Sequence, residues 1–136
     1  MRTQFGHIQL NVQPDNLPFY RDLMAFLGWE KIYDGEGMIG VGDSNGAGLW
    51  FIGQVKETAI DYDGPGMNHV GIATEAQADV DAVATYLNER NVALLFETPR
   101  HRPEFSRSDE HTYYQVMFET PDRILMEIVY TGPKSA

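Results

Sequence analysis

The chain has 136 residues, of which 43% are hydrophobic and 22% are charged, a balance typical of one folded domain of ordinary size. Its 20 acidic side chains outnumber its 10 Lys and Arg side chains, and the net charge of -10 disfavours nucleic acid and anionic membranes as partners. The absence of cysteine excludes thiolate ligands, so any metal must be held by nitrogen and oxygen atoms. No apolar run approaches the roughly 20 residues that span a bilayer, and the N-terminus does not resemble a signal peptide. We therefore expect a soluble, cytoplasmic protein.

The first half of the chain predicts a strand, a helix and three further strands. Apolar and polar residues alternate over 5–12, the period of a half-buried strand, and His7 lies on its polar face. A helix-start signal at 14–18 precedes apolar residues at helical spacing, and Gly28 marks the end of that helix. Glycine-containing turn signals then separate three predicted short strands, at 29–33, 37–41 and 48–52.

The second half repeats this order after a turn-rich segment at 61–66. Its opening strand carries His69 at the position that His7 holds in the first strand. Apolar residues at helical spacing over 80–87 predict an amphipathic helix that ends near Asn91. Three more strands are predicted, at 92–96, 113–118 and 124–129.

The two histidines lie 62 positions apart, and the two helix ends are separated by nearly the same number of residues. This constant offset indicates an internal duplication. We expect an α+β fold of two tandem βαβββ modules, at about 4–56 and about 67–131, joined by a linker at about 57–66. Because each module alone would expose one sheet face, we expect a cup-shaped mixed β-sheet with the helices on its outer face.

Three side chains that can ligate a metal lie on strand faces predicted to line the cup. They are His7, His69 and Glu127. A single histidine on a strand is more often a surface or hydrogen-bonded residue, but a pair at equivalent repeat positions favours metal binding. Glu127 lies in an apolar run, where a buried carboxylate needs a cation, a hydrogen-bond network or water. The set suits one divalent ion, and Fe, Mn, Ni, Co and Zn all remain open.

Several motifs resemble those of the vicinal oxygen chelate superfamily, which includes glyoxalase I, bleomycin-resistance proteins, fosfomycin-resistance enzymes and extradiol dioxygenases. The motifs are Gly6-His7-Ile8, Leu17-Pro18-Phe19-Tyr20 leading to Leu27-Gly28-Trp29, Asn68-His69-Val70-Gly71-Ile72, and the segment 118–127. The last of these is similar to the closing hairpin of the family, with Thr120 and Arg123 in place of its usual Asp and Gly. The segment 99–114 resembles a bacterial glyoxalase-like subgroup.

The resemblance implies that His7, His69 and Glu127 bind the metal and that a small substrate chelates it through vicinal oxygens. The fourth-strand ligand, which is Glu or Gln in glyoxalase I, corresponds to Trp50, which cannot act as a general base. Glyoxalase I activity is therefore disfavoured, whereas lyase, isomerase and extradiol-type dioxygenase chemistry remain open. The alternatives are a metal-free small-molecule binding protein of the bleomycin-resistance type and a structural domain that has kept the fold. The resemblance also implies a homodimer.

Two further residues are candidates for catalysis, because extradiol dioxygenases also use a histidine and a tyrosine near the metal. They are His111 and Tyr113, and strand alternation places Tyr113 and Gln115 on the cup side. We expect Gln115 to contact the substrate. The alternative is a surface-loop histidine and an interfacial tyrosine.

The remaining candidates for substrate binding are aromatic or basic. Trp50 and Phe51 could stack on a conjugated ligand, although such residues on sheets more often serve packing. Arg100 lies in a segment rich in Arg and His within an acidic chain. An anionic substrate explains this segment, and a solvated loop of mixed charge explains it equally well.

Overall fold

Two four-stranded mixed β-sheets, each accompanied by one α-helix, make up the structure, which is a computed structural model that describes residues 1–2 and 4–134. The chain divides into two compact units, the first ending at Thr58 and the second beginning at Ala59. Each unit has the element order β-α-β-β-β. The predicted α+β fold class with two βαβββ modules is therefore confirmed.

The first unit follows the predicted order closely. Its elements are β1 (His7–Asn11), α1 (Leu17–Phe26), β2 (Glu30–Gly35), β3 (Met38–Gly42) and β4 (Gly48–Ile52). The sheet order is β1-β4-β3-β2, with β1 parallel to β4 and the other pairs antiparallel. Helix α1 ends where expected because Gly28 adopts a left-handed φ of 78°, a conformation that glycine reaches without steric cost.

The second unit has the same topology. Its elements are β5 (Val70–Thr74), α2 (Gln77–Glu89), β6 (Leu94–His101), β7 (His111–Glu119) and β8 (Leu125–Pro133). The sheet order is β5-β8-β7-β6, and β5 is parallel to β8. Helix α2 packs on one face of this sheet, where Val116, Phe118, Met126 and Ile128 are fully buried. Because side chains alternate along a strand, the residues between them face away from α2.

Strand register confirms the duplication at the level of single residues. His7 precedes Gln9, which pairs with Trp50, and His69 precedes Gly71, which pairs with Glu127. Trp50 therefore occupies the position in β4 that Glu127 occupies in β8, and the resemblance places the fourth-strand ligand position near it. The first module carries an indole where the second carries a carboxylate.

Strand β6 differs from the prediction, which ends it at residue 96. The strand runs to His101, and a bulge between Leu95 and Arg100 interrupts its pairing with β7 without ending it. Within the bulge Phe96 and Glu97 have φ values of 55° and 60°, and Pro99, which lacks a ladder donor, is accommodated there. Pairing resumes at Arg100. In the described chain no helix has the length and hydrophobicity needed to cross a membrane.

Candidate functional site

A cavity of about 700 Å³ lies within the second unit. It is on the face of the sheet that points away from α2, since residues at alternate positions of β7 and β8 line it. Its lining includes His69, Arg100, Arg102, Tyr113, Gln115 and Glu127. The structure therefore brings five of the predicted site residues to one cavity, and Arg102 joins them.

Glu127 is the central charged group of the cavity. Its side chain is only 5% exposed, so an unsatisfied carboxylate would carry a large desolvation cost. The Tyr113 hydroxyl donates a hydrogen bond to Glu127 Oε1 at 2.7 Å, and Gln115 Nε2 donates another to Oε2. Each carboxylate oxygen thus has a donor, and part of the need for a counter-charge is met by the hydrogen-bond network.

Tyr113 is held in its neutral form. Burial, followed by the hydrogen bond to Glu127, raises the pKa of Tyr113 from 10 to about 12. At neutral pH the phenol is therefore a hydrogen-bond donor to the carboxylate and not a base. The edge of its ring also meets the ring of Phe105, with centroids 5.5 Å apart.

Gln115 is oriented by a charged neighbour. Arg102 Nη1 donates to Gln115 Oε1 at 3.0 Å, which turns the amide nitrogen toward Glu127. Arg102 also binds Glu104 through Nε, and this bond lowers the pKa of Glu104. Gln115 is only 2% exposed, and both ends of its amide are bonded, so the amide orients the Glu127 carboxylate. Contact of Gln115 with substrate stays a prediction.

His69 is exposed, and its ring is oriented by the residue before it. Asn68 Nδ2 donates to the Tyr62 carbonyl at 2.8 Å, so Asn68 Oδ1 points to His69 Nδ1, also at 2.8 Å. Since Oδ1 can only accept, Nδ1 must carry the proton of the neutral ring. The lone pair then lies on Nε2, which is the nitrogen that this tautomer leaves free to bind a metal.

The two ligand candidates of the second unit share one face of its sheet. Gly71 is paired with Glu127 on the neighbouring strand, and a Cβ atom on Gly71 would lie 3.6 Å from Glu127 Oε1. His69 lies two residues before Gly71 and therefore on the same face. Their imidazole and carboxylate fit a divalent metal in chemical type. Among the residues that the structure describes, however, no three His, Asp or Glu side chains form a group that could hold a metal ion.

His7, the third predicted ligand, is an exposed residue at the start of β1 in the first unit. Its role as a ligand stays a prediction. Trp50 is half-buried and stacks on Tyr33 with ring centroids 6.4 Å apart. Phe51 has no exposed surface and stacks on Tyr20 of α1 at 4.5 Å. The prediction that Phe51 binds substrate is wrong, because strand alternation turns its ring into the core.

His111 does not reach the cavity formed by the described residues. It begins β7, and its Nδ1 lies 2.8 Å from Ser108 Oγ. Arg100 does line the cavity, and its Nε is buried without a hydrogen-bond partner in the described chain. The structure thus favours Arg100 and Tyr113 over His111 as site residues.

Eight residues that line the cavity were not predicted as site residues. They are Tyr62, Asp63, Asn68, Phe96, Arg102, Phe105, Met117 and Leu125. The Asn68-His69 pair was visible as a motif, but the orientation of the amide depends on the Tyr62 carbonyl. Phe96 lines the cavity from the bulge of β6, which strand alternation alone does not predict.

Similarity to solved structures is extensive over the whole chain, whereas no family model and no curated protein sequence matches it. A candidate glyoxalase from Bacillus halodurans is 24% identical, with a TM-score of 0.74 and coverage of 93% of this chain and 94% of that one. A glyoxalase/dioxygenase from Nostoc punctiforme is 19% identical, with a TM-score of 0.67 and coverage of 95% and 91%. The fosfomycin-resistance protein FosX from Listeria monocytogenes, solved with Mn(II) and sulfate, is 18% identical, with a TM-score of 0.68 and coverage of 96% and 91%. The chain therefore has the fold of the glyoxalase, bleomycin-resistance and dioxygenase proteins of the vicinal oxygen chelate superfamily.

Proposed function

We propose that the cavity of the second unit binds a small organic molecule at a divalent metal ion, with His69, Glu127 and His7 as protein ligands. The observation that carries this proposal is that His69, which directly precedes β5, and Glu127 of the paired strand β8 line the same cavity. His7 is the counterpart of His69 in the duplicated module. It is the candidate for the third ligand, from the same chain or from a second copy.

When bound, such an ion supplies Lewis-acid polarisation of two neighbouring substrate oxygens. The protein's own groups prepare the site for it. Tyr113 and Gln115 fix the orientation of the Glu127 carboxylate, and Asn68 keeps the proton of His69 on Nδ1. Such supporting contacts commonly raise ligand basicity and metal affinity.

The polar and aromatic groups around Glu127 hold the substrate. Tyr113 and Phe105 form an aromatic wall, and the half-buried Arg100 supplies a cation. The neutral Tyr113 phenol is a proton donor beside Glu127. Lyase and dioxygenase chemistry are both compatible with this arrangement. The FosX relative was solved with Mn(II), which makes manganese the first metal to test. We further propose a cytoplasmic homodimer.

A metal-free binding protein is the second candidate. The observation that favours it is that both oxygens of Glu127 already accept hydrogen bonds from neutral donors. A carboxylate satisfied in this way does not require a cation. The same cavity would then sequester a ligand without metal chemistry.

Metal analysis of protein purified without a histidine tag or chelator separates the two candidates. We expect near-stoichiometric metal in the wild type and its loss in His69→Ala and Glu127→Ala. The matched controls are His111→Ala, a histidine outside the cavity, and Glu110→Ala, an exposed loop carboxylate, and both should retain the metal.

A parallel His7→Ala variant tests the third ligand. Loss of metal in this variant supports the three-ligand set, and full retention removes His7 from it. Wild-type protein that contains no metal and takes up none of the ions tested would overturn the metal proposal and favour the binding protein.

A further inference from the structure

We infer that Arg100 and the aromatic side chains beside it form a subsite for the carboxylate of a small, flat organic acid. This inference names the class of ligand for the proposed cavity, and it relies on the proposed function for the position of that cavity but not for the metal.

The guanidinium of Arg100 is poorly satisfied by its neighbours. Its Nε is buried and finds no acceptor among the described residues. Its Nη1 lies 3.4 Å from Glu97 Oε2, but the Glu97 side chain is 88% exposed, and an exposed pair at that distance stabilises little. A buried N–H group without an acceptor carries a free-energy cost. Because the Arg100 side chain as a whole is 40% exposed, the guanidinium can turn toward an anion in the cavity, and that rearrangement would remove the cost.

Arg102 lines the same cavity, but its guanidinium already contacts other protein groups. Its Nε binds Glu104, its Nη1 binds Gln115, and its guanidinium lies 4.8 Å from the centre of the Phe105 ring. Arg102 therefore orients the Gln115 amide and supports the wall of the cavity. Of the two arginines that line the cavity, Arg100 is the less engaged, since its one side-chain hydrogen bond in the described chain is to the exposed Glu97.

The bulge of β6 brings Arg100 and Phe96 to the cavity together. Phe96 and Glu97 are both non-glycine residues in left-handed conformations, and consecutive strained residues of this kind cluster at binding sites. After the bulge, pairing with β7 resumes at Arg100, which lies opposite Gln115. The two left-handed residues thus lie in the segment that brings Phe96 and Arg100 to the cavity.

The walls beside Arg100 are aromatic and open. Phe96 is 52% exposed and Phe105 is 58% exposed, although both line the cavity. Exposed rings of this size favour a ligand with a flat apolar body. A planar carboxylate matches the fork of the guanidinium, whereas a neutral ligand can accept a hydrogen bond but does not neutralise the charge of Arg100.

The experiment is an NMR titration of metal-free protein with benzoate and with benzamide, which has nearly the same shape without the charge. Metal is removed on a chelating resin, so that neither bound metal nor free chelator competes for the carboxylate. The variants are Arg100→Gln, Arg100→Lys and the matched control Arg107→Gln. Arg107 is an exposed arginine of the neighbouring loop and does not line the cavity, so this control makes the same change of charge. The amide spectrum of each variant verifies its fold.

We expect benzoate to shift cavity resonances and to bind more tightly than benzamide. Arg100→Gln should weaken benzoate binding by roughly tenfold to a hundredfold, the range for losing charge-assisted hydrogen bonds. Arg100→Lys should keep part of the affinity because the charge remains without the planar fork. Arg107→Gln should match the wild type.

Two results would overturn the inference: equal binding of benzoate by the wild type and Arg100→Gln, or no preference of the wild type for benzoate over benzamide. The metal content of Arg100→Gln separates this test from the proposed function. If the wild type binds no metal while benzoate binding still depends on Arg100, the metal proposal fails and the carboxylate subsite stands.

Discussion

Asn68 sets which nitrogen of His69 is free to bind a metal. The Asn68 amide is turned by the Tyr62 carbonyl, and its Oδ1 accepts the proton of His69 Nδ1 at 2.8 Å. In Asn68→Ala this acceptor is lost, so both tautomers of the neutral ring become populated. The fraction of His69 with a lone pair on Nε2 should therefore fall.

The size of the effect follows from the exposure of the bond. A neutral hydrogen bond contributes about 0.5–1.5 kcal/mol net, which changes a tautomer ratio by about 2- to 13-fold at 1.36 kcal/mol per tenfold. Loss of a supporting partner of a metal-bound histidine typically costs about 10- to 100-fold in affinity. Because the hydrogen bond between Asn68 and His69 is exposed, we expect an effect nearer to the change in tautomer ratio, a loss of about 2- to 10-fold in metal affinity.

Long-range ¹H–¹⁵N correlation spectra of the metal-free protein at a pH where His69 is neutral report the tautomer directly. The wild type should show the proton on Nδ1 and Asn68→Ala a mixture. Asn68→Asp keeps the acceptor and should keep the wild-type tautomer. Asn88→Ala, an exposed asparagine on α2, is the matched control. A wild-type ring protonated on Nε2, or a tautomer unchanged in Asn68→Ala, would refute the reasoning.

Three further measurements test the network around Glu127 and the core of the first unit. Tyr113→Phe should lower the free energy of unfolding in urea by about 1–3 kcal/mol, because the buried Glu127 carboxylate loses a donor. Tyr114→Phe should lower it by less, because the acceptor of Tyr114, Asp81, is exposed. Equal losses in the two variants would contradict the role of burial. Folding raises the pKa of Tyr113 from 10 to about 12. The contribution of the Tyr113 ionisation equilibrium to stability is therefore complete below pH 10 and is lost as the pH rises through about 12. Absorbance titrations of the wild type and Tyr113→Phe should differ by one tyrosinate that forms near pH 12. Phe51→Ala should lower the free energy of unfolding by about 3–5 kcal/mol. Trp50→Ala should lower it by less, since Phe51 is fully buried and Trp50 is half-buried. A larger loss in Trp50→Ala than in Phe51→Ala would place Phe51 outside the core.

Local patterns in the sequence were sufficient to predict most of the fold. Alternation identified β1, which begins at His7, and β5, which begins directly after His69, and Gly28 marked the end of α1. The constant offset between the halves predicted the duplication, and strand register shows in addition that Trp50 occupies the position equivalent to Glu127. These features depend on residues close together in the chain or at a fixed repeat, and a single sequence contains both kinds of information.

The contacts that decide the chemistry of the site join residues far apart in the chain. Alternation predicted that Tyr113 and Gln115 face the cavity, but the strand pairing turns both toward Glu127 and not toward a free ligand. The same pairing lets Arg102 orient Gln115, and the β6 bulge brings Arg100 to the cavity. The sequence by itself therefore determined the two modules and the residue types available on each strand face. Only the tertiary structure decided which of those groups are already satisfied and which remain open to a ligand, because hydrogen-bond partners and burial depend on neighbouring strands and not on spacing along one of them.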